Sequence, residues 1–118
     1  ILKSKGYNIF GKDLKMAILV DGGSASASEI LAGALSEHKI AKLVGLQTFG
    51  KGSVQELIPV TDDTYVKVTI AKWLTPNNVS ISEKGLTPDL VIKSNKGDAI
   101  GKNDAQMDRA LKYVTTGK

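Results

Sequence analysis

Apolar positions in this chain fall into two rhythms, short continuous runs and helical stripes, separated by glycine-, asparagine- and aspartate-rich breaks. Met16-Ala-Ile-Leu-Val20 is a continuous apolar run, which predicts a strand buried on both faces, and Asp21-Gly22-Gly23 ends it. From Ser26 onward Ala27, Ile30, Leu31, Ala34 and Leu35 recur at helical spacing, leaving Ser28, Glu29, Ser36 and Glu37 outside the stripe. Ser26 and Glu29 fit a capping box at the start of that helix, and His38 and Lys39 fall in its last turn. Lys42-Leu-Val-Gly-Leu46 reads as a second short strand, so a strand–helix–strand unit is expected.

Beyond it, Gln47 to Ser53 is a glycine-rich loop, and Val54 to Val60 and Tyr65 to Leu74 read as strands joined through Thr61-Asp-Asp-Thr64. In the second of these, Val66, Val68 and Ile70 alternate with Lys67, Thr69 and Ala71, which predicts one buried and one wetter face. Thr75-Pro-Asn-Asn78 is a turn, and Leu86 to Ile92 is extended but interrupted by Pro88. Residues 93–103 read as a polar linker, and Asp104 to Tyr113 as a helix with Met107, Ala110, Leu111 and Val114 on one face. The first 15 residues alternate only weakly and read as an extended stretch or hairpin.

The 118 residues make one domain or a large part of one, with a core of ordinary apolar content. The absence of cysteine excludes disulfides, thiolate metal sites and cysteine nucleophiles. Net charge is +4, but Arg109 is the only arginine and the lysines are scattered, so a solvated surface outweighs a nucleic-acid footprint. No apolar run approaches the roughly 18–20 residues of a membrane span. The chain opens on Ile1, which predicts an internal or processed start with any targeting segment lying outside it.

Two segments carry candidate chemistry. In Gly23-Ser-Ala-Ser26-Ala-Ser-Glu29 a strand runs through a small-residue turn into a helix whose first N–H groups are unpaired. Those donors and the helix dipole suit the oxyanion formed when a carbonyl is attacked, although an N-cap serine explains the segment equally well by itself. In Thr48-Phe-Gly50-Lys51-Gly52-Ser-Val-Gln55 a lysine lies between two glycines that admit close backbone approach. A lysine kept dry loses proton affinity and can act as a general base, and Gln55 could orient it without protonating it. Taken alone, this segment reads as a surface loop with a solvated lysine. Gly45-Leu-Gln-Thr-Phe-Gly50-Lys51 also matches a phosphate-loop pattern, but Gly52 stands where serine or threonine is required. A strand rather than a helix follows, so the phosphate reading fails.

Together, G-S-A-S-A-S-E and T-F-G-K-G-S-V-Q resemble the signature of the carboxyl-terminal processing peptidases, or tail-specific proteases. The resemblance continues through Val68-Thr-Ile-Ala-Lys-Trp-Leu-Thr-Pro76 and Lys84-Gly-Leu-Thr-Pro-Asp-Leu90, and so covers residues from about Met16 to Val91. It implies Ser26 as nucleophile, Lys51 as base, Gln55 as the group orienting the amine, and the Ala27 N–H as half of the oxyanion hole. Glu29 is implied as a capping or supporting group, with Gly50 and Gly52 supporting the base loop. His38, at the far end of the helix from Ser26, is excluded from a serine–histidine arrangement.

The resemblance further implies an α/β core related to the Clp protease and crotonase group, built of strand–strand–helix units and here partial. Residues 1–118 would be the C-terminal portion of a peptidase catalytic domain, lacking the PDZ domain and an upstream glycine motif that completes the oxyanion hole. It implies endoproteolysis near the C-terminal tails of protein substrates, without metal or organic cofactor and without nucleic acid. The expected location is the bacterial cell envelope, periplasmic, membrane-anchored or exported. With half the oxyanion site outside it, the chain alone is expected to be weakly active or inactive. Uncovered sheet edges suggest a homo-oligomer, and an adaptor or regulatory protein is a further expected partner. The competing reading is a catalytically silent peptide-binding module on the same fold.

Overall fold

The computed structural model describes residue 6 and residues 13–93 and 104–118. The extended stretch predicted for residues 1–15 and the linker predicted at 93–103 therefore lie almost wholly outside the described residues. The elements are β1 (Met16–Val20), α1 (Ala27–Glu37), β2 (Ala41–Gly45), β3 (Ser53–Thr61), β4 (Thr64–Lys72), β5 (Leu90–Val91) and α2 (Ala105–Thr116). They form two sheets. One is parallel with strand order β1-β2-β5, and the other is the antiparallel β3–β4 hairpin.

The expected strand–helix–strand unit is present, with Met16 opposite Ala41 and Val20 opposite Gly45. Val20, Leu43 and Ala32 of α1 form the core, with Ile18 and Leu86 packed against it. Val44 of the central strand is fully buried, while Leu19 of β1 remains partly exposed. Among the described residues the continuous apolar run in β1 therefore stands at one edge of this sheet, and β2 is the strand covered most completely. Its neighbour β5 is pinned by Asp89, which accepts hydrogen bonds from Leu43 N–H at 2.8 Å and Lys42 Nζ at 2.9 Å.

Helix α1 buries a different face from the one its apolar stripe predicts. Glu29, Ala32 and Gly33 are buried, whereas Leu31 is 61% exposed. The small side chains let the helix lie close to its neighbours; a methyl group on Gly33 would meet Leu86 Cδ2 at 3.3 Å. The helix ends at Glu37, so His38 is its C-cap and Lys39 follows in the left-handed region rather than in the last turn.

The hairpin differs too. Every residue of β4 is exposed, including Val66, Val68 and Ile70, so the predicted buried face has no cover among the described residues. Alternation in β4 signals a strand but not what lies over it. Helix α2 packs on β1 and β2 and buries Ala110, while Leu111 and Val114 of its predicted face stay exposed. Asp104 caps it by accepting from Gln106 and Met107 N–H groups, and Gly117 closes its C-terminus in the left-handed conformation.

Candidate active site

The turn after β1 is organised by Asp21, whose Oδ1 accepts from the N–H groups of Gly23 at 2.9 Å and Ser24 at 3.1 Å. Ser24 Oγ in turn accepts from Asp21 N–H at 3.1 Å, which closes the turn from both ends. The chain then enters α1 through Ser26, an exposed residue with φ 57° and ψ −117°. That backbone region is one glycine adopts readily and serine does not, so Ser26 is held under strain. Its Oγ takes the capping-box position toward the Glu29 N–H without forming a hydrogen bond of good geometry. Directly after it, the Ala27 N–H begins the helix with no intrahelical acceptor. A hydroxyl and an unpaired N–H at the positive end of a helix dipole are thus adjacent.

The loop 47–52 lies against this turn, and Glu29 joins the two. Its carboxylate is 0% exposed. Oε2 accepts from Ser26 N–H at 3.0 Å, the well-formed half of the capping box, and from Lys51 N–H at 2.9 Å. Oε1 accepts from Thr48 Oγ1 at 2.5 Å and Gly50 N–H at 2.7 Å. Burial pushes the carboxyl up, but the Thr48 hydroxyl and the Gly50, Lys51 and Ser26 N–H groups outweigh it and hold Glu29 below its ordinary value. Four donors make this an ionised anchor between the Ser26 turn and the 47–52 loop.

The backbone nitrogens of Ser26 and Lys51 share one carboxylate oxygen, so they are no further apart than two hydrogen bonds laid end to end. Phe49 N–H adds a second tie, donating to Ser24 O at 2.9 Å. On its other side the loop meets residues 81–86. Glu83 N–H donates to Gly50 O at 2.9 Å, and Leu86 N–H donates to Thr48 Oγ1 at 2.7 Å. The two glycines are required for this contact. Gly50 has φ 89°, and a methyl on Gly52 would stand 2.6 Å from Ser82 N.

The Lys51 and Gln55 side chains are displayed rather than packed. Lys51 is exposed and lines an open depression of about 310 Å³ with Phe49, Thr69, Lys72, Ser82 and Glu83. Gln55 is exposed on β3 opposite Thr69, beside a register shift. Cross-strand partners share a face, so Gln55 stands on the side of the hairpin that borders this depression. Among the described residues neither the Lys51 amine nor the Gln55 amide makes a hydrogen bond, and His38 lies at the opposite end of α1. No group of three histidine, aspartate or glutamate side chains capable of holding a metal occurs among the described residues. No helix among them is long and apolar enough to cross a membrane.

Thr48 is the residue that sequence reasoning passed over. It is buried and serves as donor to Glu29 and acceptor from Leu86, linking three segments. Its place in the T-F-G-K-G run was the available signal.

Comparison with known proteins matches residues 2–92 to the model of peptidase family S41. The carboxy-terminal-processing protease of Bartonella bacilliformis is 50% identical over 76 residues, covering 64% of this chain and 18% of that protein. The carboxyl-terminal-processing protease of Synechocystis sp. is 41% identical over 108 residues, covering 89% of this chain and 25% of its own length. Among solved structures, a photosystem II D1 C-terminal processing protease superposes with a TM-score of 0.62 at 43% identity, covering 65% of this chain and 20% of that one. The chain thus spans a quarter or less of the relatives it matches.

Proposed function

This chain belongs to peptidase family S41, a family of serine-type peptidases, and from that premise we propose that it supplies the nucleophile and general base of a C-terminal processing endopeptidase. Ser26 is the nucleophile and Lys51 the base. The observation that carries this reading is the shared Glu29 oxygen, which holds the Ser26 turn and the Lys51 loop side by side.

Lys51, acting as the base, takes the proton from Ser26 Oγ as that oxygen attacks the peptide carbonyl. The Ala27 N–H stabilises the oxyanion, at the helix end where negative charge is favoured. Lys51 then gives the proton to the leaving amine, and the acyl-enzyme is released by water that the same amine deprotonates. Gln55 orients the amine from the facing side of the hairpin. Ser26 is exposed, so its hydroxyl is open to substrate. No step calls for a metal or organic cofactor.

The substrates are proteins cut near their C-terminal tails, in the bacterial cell envelope. The core belongs with the Clp protease and crotonase group, and residues 1–118 are the C-terminal portion of the catalytic domain. The second oxyanion donor then comes from outside this chain, which alone is weakly active or inactive. Its exposed hairpin favours self-association, and light scattering showing a clean monomer at high concentration would count against that.

The test is Ser26→Ala and Lys51→Ala in the full-length protein, each assayed on a substrate with a free C-terminal tail. Both are expected to abolish cleavage while leaving the protein folded. Normal cleavage by both variants would remove the dyad assignment.

A further inference from the structure

We propose that Ser82 is a positioning residue for the base, its hydroxyl accepting a hydrogen bond from Lys51 Nζ in the depression that both residues line; this rests on the serine–lysine reading above. Among the described residues Ser82 Oγ is the one buried side-chain polar atom with no hydrogen-bond partner. A buried hydroxyl left unpaired opposes folding, so packing alone does not account for a serine here. An alanine would fill the same place without that cost.

Its position is well defined. Ser82 N–H donates to Ser80 Oγ at 3.3 Å, and the next residue, Glu83, donates its N–H to Gly50 O. A methyl group on Gly52 would come within 2.9 Å of Ser82 Oγ, so the hydroxyl lies against the residue that follows Lys51. Lys51, for its part, has an amine without a partner on the rim of the same depression.

A hydroxyl is chemically suited to the task. It accepts from an amine in either protonation state and does not titrate near neutrality, so it orients the base without trapping its proton. In the proposed arrangement Lys51 turns one N–H to Ser82 Oγ across the depression that both residues line, and its lone pair is left to receive the proton of Ser26. No proton passes to Ser82. The charged groups facing Lys51 across the depression are Lys72 of β4 and Glu83, and no ion pair joins any of the three.

The experiment compares Ser82→Ala, Ser82→Thr and Lys51→Ala in the full-length protein, measuring kcat, KM and melting temperature from neutral to alkaline pH. Ser82→Ala is expected to lower kcat about tenfold, as loss of orientation does, with KM unchanged and the pH profile of kcat displaced. Its melting temperature should stay level or rise, and Ser82→Thr should restore most of the rate. An unchanged kcat and pH profile in Ser82→Ala overturns the proposal, as does a loss of rate that tracks a fall in melting temperature. Lys51→Ala separates the two readings. If it is inactive while Ser82→Ala behaves as wild type, only the role of Ser82 fails; if it is active, the base assignment fails with it.

Discussion

Thr48 Oγ1 donates to the buried carboxylate of Glu29 at 2.5 Å while accepting from Leu86 N–H at 2.7 Å. One hydroxyl thereby couples the N-terminal turn of α1, the 47–52 loop and the segment behind that loop. Glu29 is the common acceptor, and the arrangement makes it a positioning group whose value lies in its charge and its two oxygens.

Glu29→Gln tests that role. An amide keeps the shape but turns one acceptor into a donor facing N–H groups that already need an acceptor. Each buried donor so abandoned costs about 1–3 kcal/mol, so a loss of about 3 kcal/mol is expected, read from the urea midpoint. Proteolytic rate in the full-length protein should fall with it. A variant of wild-type stability and rate would contradict the hub assignment.

The acid limb of stability follows from the same group and from Asp89. In each, burial pushes the carboxyl up but is outweighed, at Glu29 by Thr48 and three N–H groups and at Asp89 by the Lys42 ammonium and the Leu43 N–H. Both folded-state values lie below the unfolded ones, ordinarily 4.5 and 3.8. Their stabilisation is therefore complete above those values and lost as pH falls through the depressed ones. Unfolding free energy should decline steeply below about pH 4. Asp89→Asn should flatten that decline, as followed by denaturant titrations at successive pH.

Substitution at Ser26 should separate strain from chemistry. Ser26→Ala and Ser26→Gly both remove the hydroxyl, but only glycine relaxes the backbone at φ 57°. Strain of this kind is worth about 1–3 kcal/mol, offset in part by the freedom glycine adds to the unfolded chain. Ser26→Gly is expected to be more stable than Ser26→Ala by about 1 kcal/mol, with both inactive. Equal melting temperatures would argue that the turn is unstrained in solution.

Gly52→Ala should disturb the 47–52 loop from behind. The added methyl would stand 2.6 Å from the Ser82 backbone nitrogen, which cannot swing aside as a side chain could. A destabilisation of about 2 kcal/mol is expected from such overpacking, with a larger loss of rate because Lys51 is adjacent. Thermal melting and a cleavage assay on the same preparation would show whether the two effects part in this way.

The sequence by itself determined the local elements and the chemical repertoire. The apolar runs marked β1 and β2, the Asp21-Gly-Gly break marked the turn, and the linked motifs singled out Ser26, Lys51 and Gln55. These are readable because they depend on neighbours two to four residues apart, the reach of strand and helix periodicity. Tertiary structure alone decided which side of each element is buried. The stripe through Leu31 looked like the inner face of α1, yet the chain buries Glu29 instead, because Thr48, Gly50 and Lys51 bring donors to it from about 20 residues away. The alternation in β4 likewise could not say that Val66 and Ile70 stay exposed among the described residues. The strain at Ser26 and the unpaired hydroxyl of Ser82 are also tertiary, each set by which backbone comes to lie beside it. A carboxylate is buried only where the fold assembles its donors, and no local pattern in the chain records that meeting.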